Sequence, residues 1–332
     1  MRFKIRNLQG QNKHEDMCTS VSWCSHNELT RYFLPLSSIG DDNVIYKWNV
    51  NTAQSSKWLE LDSYAIDHDW MPISKGTSDT VAVGFADGSI KLINKNGKVE
   101  KHMSNEIHKK SVISLKWSYD GGALASSGQD GAVKIWSKNG NLRTNLVQSD
   151  RPIYSVAWSP ESDAVLYCFD KQICLKPISA NQQKNLQWKA HEGLVLKVDW
   201  SPNNNCILSC GEDCKYKVWD NFGRLIYSSS PYDYIVNSIG WSPNGEYFAV
   251  GGFGMFKICD KTGWTYSFSK IESGSIEKLV WSSDGTLCSG ACGNGNVIFG
   301  EVVDKQVAYN NWEANLNDEN RIEVTDILSE NV

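Results

Sequence analysis

No stretch of the 332-residue chain approaches the roughly 18 consecutive apolar residues that a membrane-spanning helix needs. The opening, Met1-Arg2-Phe3-Lys4-Ile5, alternates charged and apolar residues, so the apolar run of a secretory signal is missing. Positive charge is not in surplus: the formal net charge is −5, which argues against a general nucleic-acid binder built on a broad basic surface. The 10 cysteines are too sparse for a disulfide-stapled scaffold of this length. These absences lead to the expectation of a soluble, cytoplasmic protein with reduced thiols, with no membrane insertion and no nucleic-acid partner.

Signatures of small-molecule chemistry are missing as well. The segments Gly251-Gly252-Phe253-Gly254 and Gly290-Ala291-Cys292-Gly293-Asn294-Gly295 are glycine-rich, but neither leads into a helix with the Lys-Ser/Thr of a phosphate loop, so turn chemistry is expected of both. Cys206, Cys210 and Cys214 follow one another at intervals of four, as do Cys288 and Cys292. The first two fall at the ends of one expected strand, and the third lies beyond its turn. They read as small buried hydrophobes, not as a zinc set. No metal and no cofactor are expected.

What the chain has in plenty is tryptophan, 14 residues of it. A Trp that closes a strand-like run stands at Trp23, Trp70, Trp117, Trp158, Trp200, Trp241 and Trp281, a recurrence every 40 to 47 residues. Turn residues follow most of them, as in Ser201-Pro202-Asn203 and Pro243-Asn244-Gly245. A second marker comes later in each copy: Trp48, Ile93, Trp136, Leu175, Trp219, Cys259 and Phe299. In four copies an Asp stands six residues before it (Asp42, Asp87, Asp130, Asp213), and in three a His stands nine residues before the first Trp (His14, His108, His191). Within the third copy, Ile113, Leu115 and Trp117 are expected on one face of a strand, with Ser114 and Lys116 on the other.

A period near 43 residues with a His…Trp-Asp pattern resembles the WD-repeat family. The resemblance implies an all-β, seven-bladed β-propeller over residues 1–302, each blade four antiparallel strands, with an N-terminal strand closing the ring. Phe3, Ile5 and Leu8 would then pack inward, and Leu29–Ser37 and Ser74–Asp79 would be surface insertions. It also implies that His14, Asp42 and Trp48, His108, Asp130 and Trp136, and His191, Asp213 and Trp219 form structural hydrogen-bond networks through a strand serine (Ser126 or Ser127 in the third copy). Such a triplet mimics a catalytic triad in composition, but its recurrence argues for architecture over catalysis.

Residues 303–332 fall outside the pattern. They hold seven acidic and two basic residues, which accounts for the whole net charge. The alternating apolar character of residues 322–328 points to the start of a following domain more than to a solvated tail. In a propeller, Lys109, Lys110, Tyr232, Asp233 and Tyr234 sit in loops before innermost strands, which makes them candidate partner-binding residues.

A narrower resemblance rests on Leu186–His191, Gly211–Asp220, Asp260-Lys261-Thr262-Gly263-Trp264 and Gly290–Gly295, with Trp136-Ser137-Lys138 and Tyr154-Ser155-Val156-Ala157-Trp158. These look like the WD-repeat subunits of the intraflagellar transport B (IFT-B) complex. That likeness implies a non-enzymatic scaffold, other IFT-B subunits as partners, and a place in the cilium and basal body. The competing readings are a WD-repeat adaptor of another system, such as a ubiquitin-ligase substrate receptor or a vesicle coat, and an enzyme with its site in the channel.

Overall fold

The computed structural model describes residues 2–7, 13–24, 35–50, 52, 54–72, 79–104, 108–179, 185–303, 306–309, 312–316 and 322–326. Among them every regular element is a strand. Seven four-stranded antiparallel sheets follow one another around a ring. The fifth blade shows the plan: an innermost strand Val195–Trp200, then Cys206–Gly211, Tyr216–Asp220 and the outer Leu225–Ser228. The other innermost strands are Cys18–Trp23, Ala65–Trp70, Val112–Trp117, Ser155–Trp158, Val236–Trp241 and Ile276–Trp281. All seven end on the repeated Trp.

Closure comes from the far end of the chain. Arg2–Asn7 pairs antiparallel with Val297–Val303, Arg2 opposite Val303 and Asn7 opposite Ile298, and so supplies the outer strand of blade 7. The two ends of the ring are thereby stitched into one sheet, which leaves no open seam between first and last blades. Leu8, most of the 29–37 insertion and most of the 74–79 insertion lie outside the described residues. Ser37 lies within the strand Pro35–Gly40.

The core is divided among the blades. Seven hydrophobic clusters occupy the seven interfaces between neighbours, and each repeated Trp packs into the cluster shared with the preceding blade. Trp200, for instance, joins Leu166, Ile173 and Leu175 of blade 4. Four of these indoles also donate their N–H to a backbone carbonyl of the preceding innermost strand: Trp23 to Val280, Trp117 to Asp69, Trp158 to Lys116 and Trp281 to Gly240, at 2.9–3.2 Å. One side chain thus supplies both apolar area and a directional bond to its neighbour.

The face assignment of Ile113 is corrected by the backbone. In six blades the register shifts at the second residue of the innermost strand, a β-bulge. In blade 3 the shift lies between Val112 and Ser114, so Val112 joins Leu115 and Trp117 in the core while Ile113 turns to the channel mouth. One extra residue inverts the parity of everything before it.

Past Val303, Gln306–Tyr309, Trp312–Leu316 and Ile322–Asp326 form a separate three-stranded antiparallel sheet. Trp312 lies opposite Asp326 and Ala314 opposite Val324, and Trp312, Ile322 and Val324 are exposed.

Candidate functional site

Three blades carry the complete hydrogen-bonded relay. In blade 5, Trp219 Nε1 donates to Ser209 Oγ at 2.9 Å, Ser209 Oγ meets His191 Nε2 at 2.8 Å, and His191 Nδ1 meets Asp213 Oδ1 at 2.8 Å. Blade 3 repeats it with Trp136, Ser126, His108 and Asp130 at 2.9, 2.8 and 3.1 Å. Blade 1 does so with Trp48, Ser38, His14 and Asp42 at 2.8, 2.7 and 2.8 Å. Of the two serines considered in blade 3, the relay uses Ser126. The direction is set by the ends. The indole can only donate and the carboxylate only accept, so each serine donates to Nε2 and each imidazole donates from Nδ1.

The relay spans the turn that enters each blade. Asp213 also accepts the N–H of Lys215 two residues on and, through Oδ2, that of Glu192 beside the histidine. Burial would raise its carboxyl, but the bond and charge of His191 and the Glu192 N–H hold it below the ordinary value. Burial pulls the His191 and His14 imidazoles down, and their aspartates only partly offset this. The serines and histidines are buried, and the serine oxygen already serves the indole. A hydroxyl held in this way faces no substrate and has no room to attack one.

At two of the three relays the entry turn presses on a glycine in the hairpin turn of the preceding blade. A Cβ on Gly88 would stand 2.2 Å from the His108 carbonyl oxygen, and one on Gly295 would stand 2.5 Å from that of His14, with φ of +89° and +79°. Gly295 closes the second of the two glycine-rich segments, and Gly254, at φ +62°, closes the first. Each segment begins in the second strand of its blade, Gly251-Gly252 ending Tyr247–Gly252 and Gly290-Ala291-Cys292 ending Leu287–Cys292, and only Phe253-Gly254 and Gly293-Asn294-Gly295 form the turn to the third strand. Cys210, Cys288 and Cys292 are buried, while Cys206 and Cys214 are half-buried. Burial pushes the Cys292 thiol up to about 11 and raises those of Cys206, Cys210 and Cys288. That shift disfavours the thiolate a metal would need.

The ring is stitched from inside by side chains that sequence reading did not single out. Innermost strands of adjacent blades share no backbone ladder, and polar side chains bridge them. Asp67 accepts the Leu115 N–H at 2.8 Å, Asp69 the Trp117 N–H at 2.9 Å and Asp199 the Trp241 N–H at 2.8 Å. Ser20 and Ser155 accept the His68 and Val198 N–H groups in the same way, while Ser238 donates its hydroxyl to the Ile276 carbonyl. The longest reach belongs to Lys278 of blade 7. Its ammonium donates to Ser20 Oγ, Asp67 Oδ1 and the His68 carbonyl at 3.2, 2.6 and 2.8 Å, crossing blade 1 to hold blade 2. The buried His68 imidazole contacts Ser20 Oγ and Ser37 Oγ, each at 2.8 Å. Burial and the Lys278 charge push it down to about 3, so it stays neutral. The usable sequence signal was the pair of channel-facing positions in each innermost strand, where Asp67 and Asp69, Lys116, Lys197 and Asp199, and Lys278 recur.

Lys109, Lys110, Asp233 and Tyr234 are exposed on the face where innermost strands begin. Tyr232 is drawn inward: it is half-buried, its hydroxyl accepts from Lys257 Nζ at 2.7 Å, and its ring stacks on Tyr216. Tyr234, 58% exposed, instead leans on the equally open Phe253, with ring centroids 4.9 Å apart. Phe253 comes from the first glycine-rich turn and adds an apolar neighbour to the predicted loop.

Comparison with known proteins gives the family. Residues 182–220 match the family described as WD domain, G-beta repeat, and residues 75–161 match the anaphase-promoting complex subunit 4 WD40 domain. The chain is similar to the intraflagellar transport protein 80 homologs of Mus musculus and Rattus norvegicus, each 45% identical over 339 aligned residues that take in the whole chain. It spans 42% of the length of those relatives. The mouse F-box-like/WD repeat-containing protein TBL1X is 29% identical over 191 residues, 53% of the chain and 35% of that relative.

Proposed function

The chain belongs to the WD-repeat family, and we propose that it serves as a non-enzymatic docking scaffold in the IFT-B complex, acting in intraflagellar transport and cilium assembly. The observation that carries this reading is the 45% identity to the intraflagellar transport protein 80 homologs along the entire chain. The likeness to the F-box-like relative stops at about half the chain and is weaker, so the ubiquitin-ligase adaptor reading takes second place. The absence of any reactive hydroxyl, thiolate or unpaired imidazole in the relays supports a scaffold over an enzyme. Residues 303–332 are taken as the beginning of a following domain. The His-Ser-Trp-Asp relays are taken as mortar between strands, and the exposed Lys109, Lys110, Asp233, Tyr234 and Phe253 as a docking edge.

The test is affinity purification of the tagged protein from ciliated cells, beside a variant with Lys109→Glu, Lys110→Glu and Tyr234→Ala. Recovery of IFT-B subunits with the unaltered protein, reduced by the variant at equal melting temperature, is the expected result. Recovery of a ligase or coat assembly instead would overturn the transport reading. Full recovery with the variant would move docking away from this edge.

A further inference from the structure

Four of the eight prolines follow a serine: Ser159-Pro160, Ser201-Pro202, Ser230-Pro231 and Ser242-Pro243. Three of these pairs repeat one design. Ser159, Ser201 and Ser242 each follow the Trp that closes an innermost strand, and all three are buried. Two of their hydroxyls are committed to the turn. Ser159 donates to Asp163 Oδ1 at 2.7 Å and accepts the Ala164 N–H at 2.9 Å. Ser242 donates to Asn244 Oδ1 at 2.7 Å and accepts the Tyr247 N–H at 3.1 Å. The Ser201 hydroxyl is sealed in without a partner among the described residues.

Ser230-Pro231 stands apart. It lies in the irregular segment between Leu225–Ser228 and Val236–Trp241, both residues are exposed, and the Ser230 hydroxyl makes no hydrogen bond among the described residues. Pro231 biases Ser230 toward extended backbone. Two backbone bonds tie the segment to the third strand of blade 5: the Ser229 N–H to the Tyr216 carbonyl at 3.0 Å and the Tyr232 N–H to the Cys214 carbonyl at 2.9 Å. Lys217 lies opposite Ser228 in the ladder, and the Ser229 bond carries that register onward, so Ser230 comes opposite Lys215. Residues directly opposite on antiparallel strands put their side chains on one face. The two acids that precede Lys215 are committed elsewhere, Glu212 to the Leu194 N–H and Asp213 to His191.

We propose that Ser230 is a phosphorylation site for a proline-directed serine kinase, with Lys215 across the strand pair as the partner of the phosphate. Ser230 Oγ attacks the γ-phosphorus of ATP. The new O–P bond forms as the bond from that phosphorus to the β,γ-bridging oxygen breaks, ADP leaves, and the hydroxyl proton passes to the catalytic aspartate of the kinase. Entering the kinase cleft costs Ser230 only the two backbone bonds that flank it, a local opening. The other three serines would need an innermost strand to leave the core. The product adds about −1.5 to −2 charge and three strong acceptors opposite the Lys215 ammonium. The modification does not rest on the docking reading above, although the same segment leads into Tyr234 and sets new charge beside that edge.

The test treats the 332-residue protein with ATP, Mg²⁺ and, in turn, a cyclin-dependent and a mitogen-activated protein kinase. Fragmentation mass spectrometry maps the sites, and a peptide of residues 225–236 is the unfolded reference. Phosphate on Ser230 at about tenfold or more over Ser159, Ser201 or Ser242 is expected, since their openings differ by more than the free energy of one such factor. Ser230→Ala should abolish the main product and Pro231→Ala should slow it, both at exposed positions outside the strands. Modification of the peptide but not of the protein, no modification of either by both kinases, or equal modification of the buried serines would each overturn the site. A ³¹P NMR titration of the phosphoprotein tests the partner. Its second ionisation should fall below that of the phosphopeptide and move back toward it in Lys215→Met. An unchanged titration in Lys215→Met would overturn the pairing. Failure of IFT-B capture would strike the transport reading and leave these results standing.

Discussion

Blades 3 and 7 hold the same four-stranded shape with opposite chemistry. Blade 3 is sewn locally: Trp136, Ser126, His108 and Asp130 lie within 29 residues of one another in sequence and satisfy each other. Blade 7 keeps the serine, as Ser289, but has Phe299 where the indole would be and no histidine, and the Ser289 hydroxyl is buried with no partner among the described residues. What blade 7 has instead is long range. Its outer strand comes from residues 2–7, and its Lys278 reaches Asp67, 211 residues away in sequence. The contrast teaches that a repeat can lose its internal hydrogen-bond relay where the ring supplies closure from outside. The cohesion of blade 7 therefore depends on the ring being shut, whereas that of blade 3 does not.

The largest effect that sharpens this contrast is removal of residues 2–7. It strips blade 7 of a strand and opens the ring, so the loss should reach or exceed the ~4–5 kcal/mol at the upper tail of point substitutions, and it should act on all seven blades together. Urea unfolding followed by tryptophan fluorescence checks it. A frayed end with an unchanged main transition would show that blade 7 stands without closure.

Next in size is Lys278→Met, which leaves Asp67 charged, buried and short of its partner, a loss of about 3–5 kcal/mol near neutral pH. The pH dependence gives the signature. Burial opposes ionisation of Asp67, but the charges of Lys278 and Lys197 hold its carboxyl down at about 2. A depressed acid contributes stability above its unfolded value near 3.9 that is lost as pH falls through the folded value. The unfolded chains titrate alike, so the gap between parent and variant should shrink as pH falls from the raised value of the variant's buried Asp67 toward about 2, where the parent's Asp67 also takes up its proton. A gap that stays constant across that window would remove Asp67 from the account.

The legible part of the molecule was the part written in short spacings. His108, Asp130 and Trp136 sit at offsets fixed by one hairpin and its entry turn, so recurrence in three copies exposes them. The seven tryptophans gave the blade count, although their packing toward the preceding blade requires the ring. Lys278 and Asp67 were not legible as a pair, because nothing in either segment encodes a partner two blades away; only closure brings them together. The bulge at Ile113 was hidden for another reason. A single inserted residue changes parity without changing the composition on which an alternation argument rests, and here it moves an apolar side chain from the core to the channel.

The smallest expected effect separates blades 5 and 7 most directly, since it removes one polar group from each. His191→Ala strands the Ser209 hydroxyl and the Asp213 carboxylate and should lose about 1–3 kcal/mol, the desolvation left uncompensated when one partner of a buried pair goes. Ser289→Ala removes a hydroxyl that has no partner among the described residues, so no bond is lost and a buried polar group disappears. The change should be neutral or slightly stabilising, within ~0.5 kcal/mol. Thermal melts of the two variants against the parent measure both. If Ser289→Ala falls as far as His191→Ala, blade 7 has a relay of its own, and its cohesion does not rest on closure.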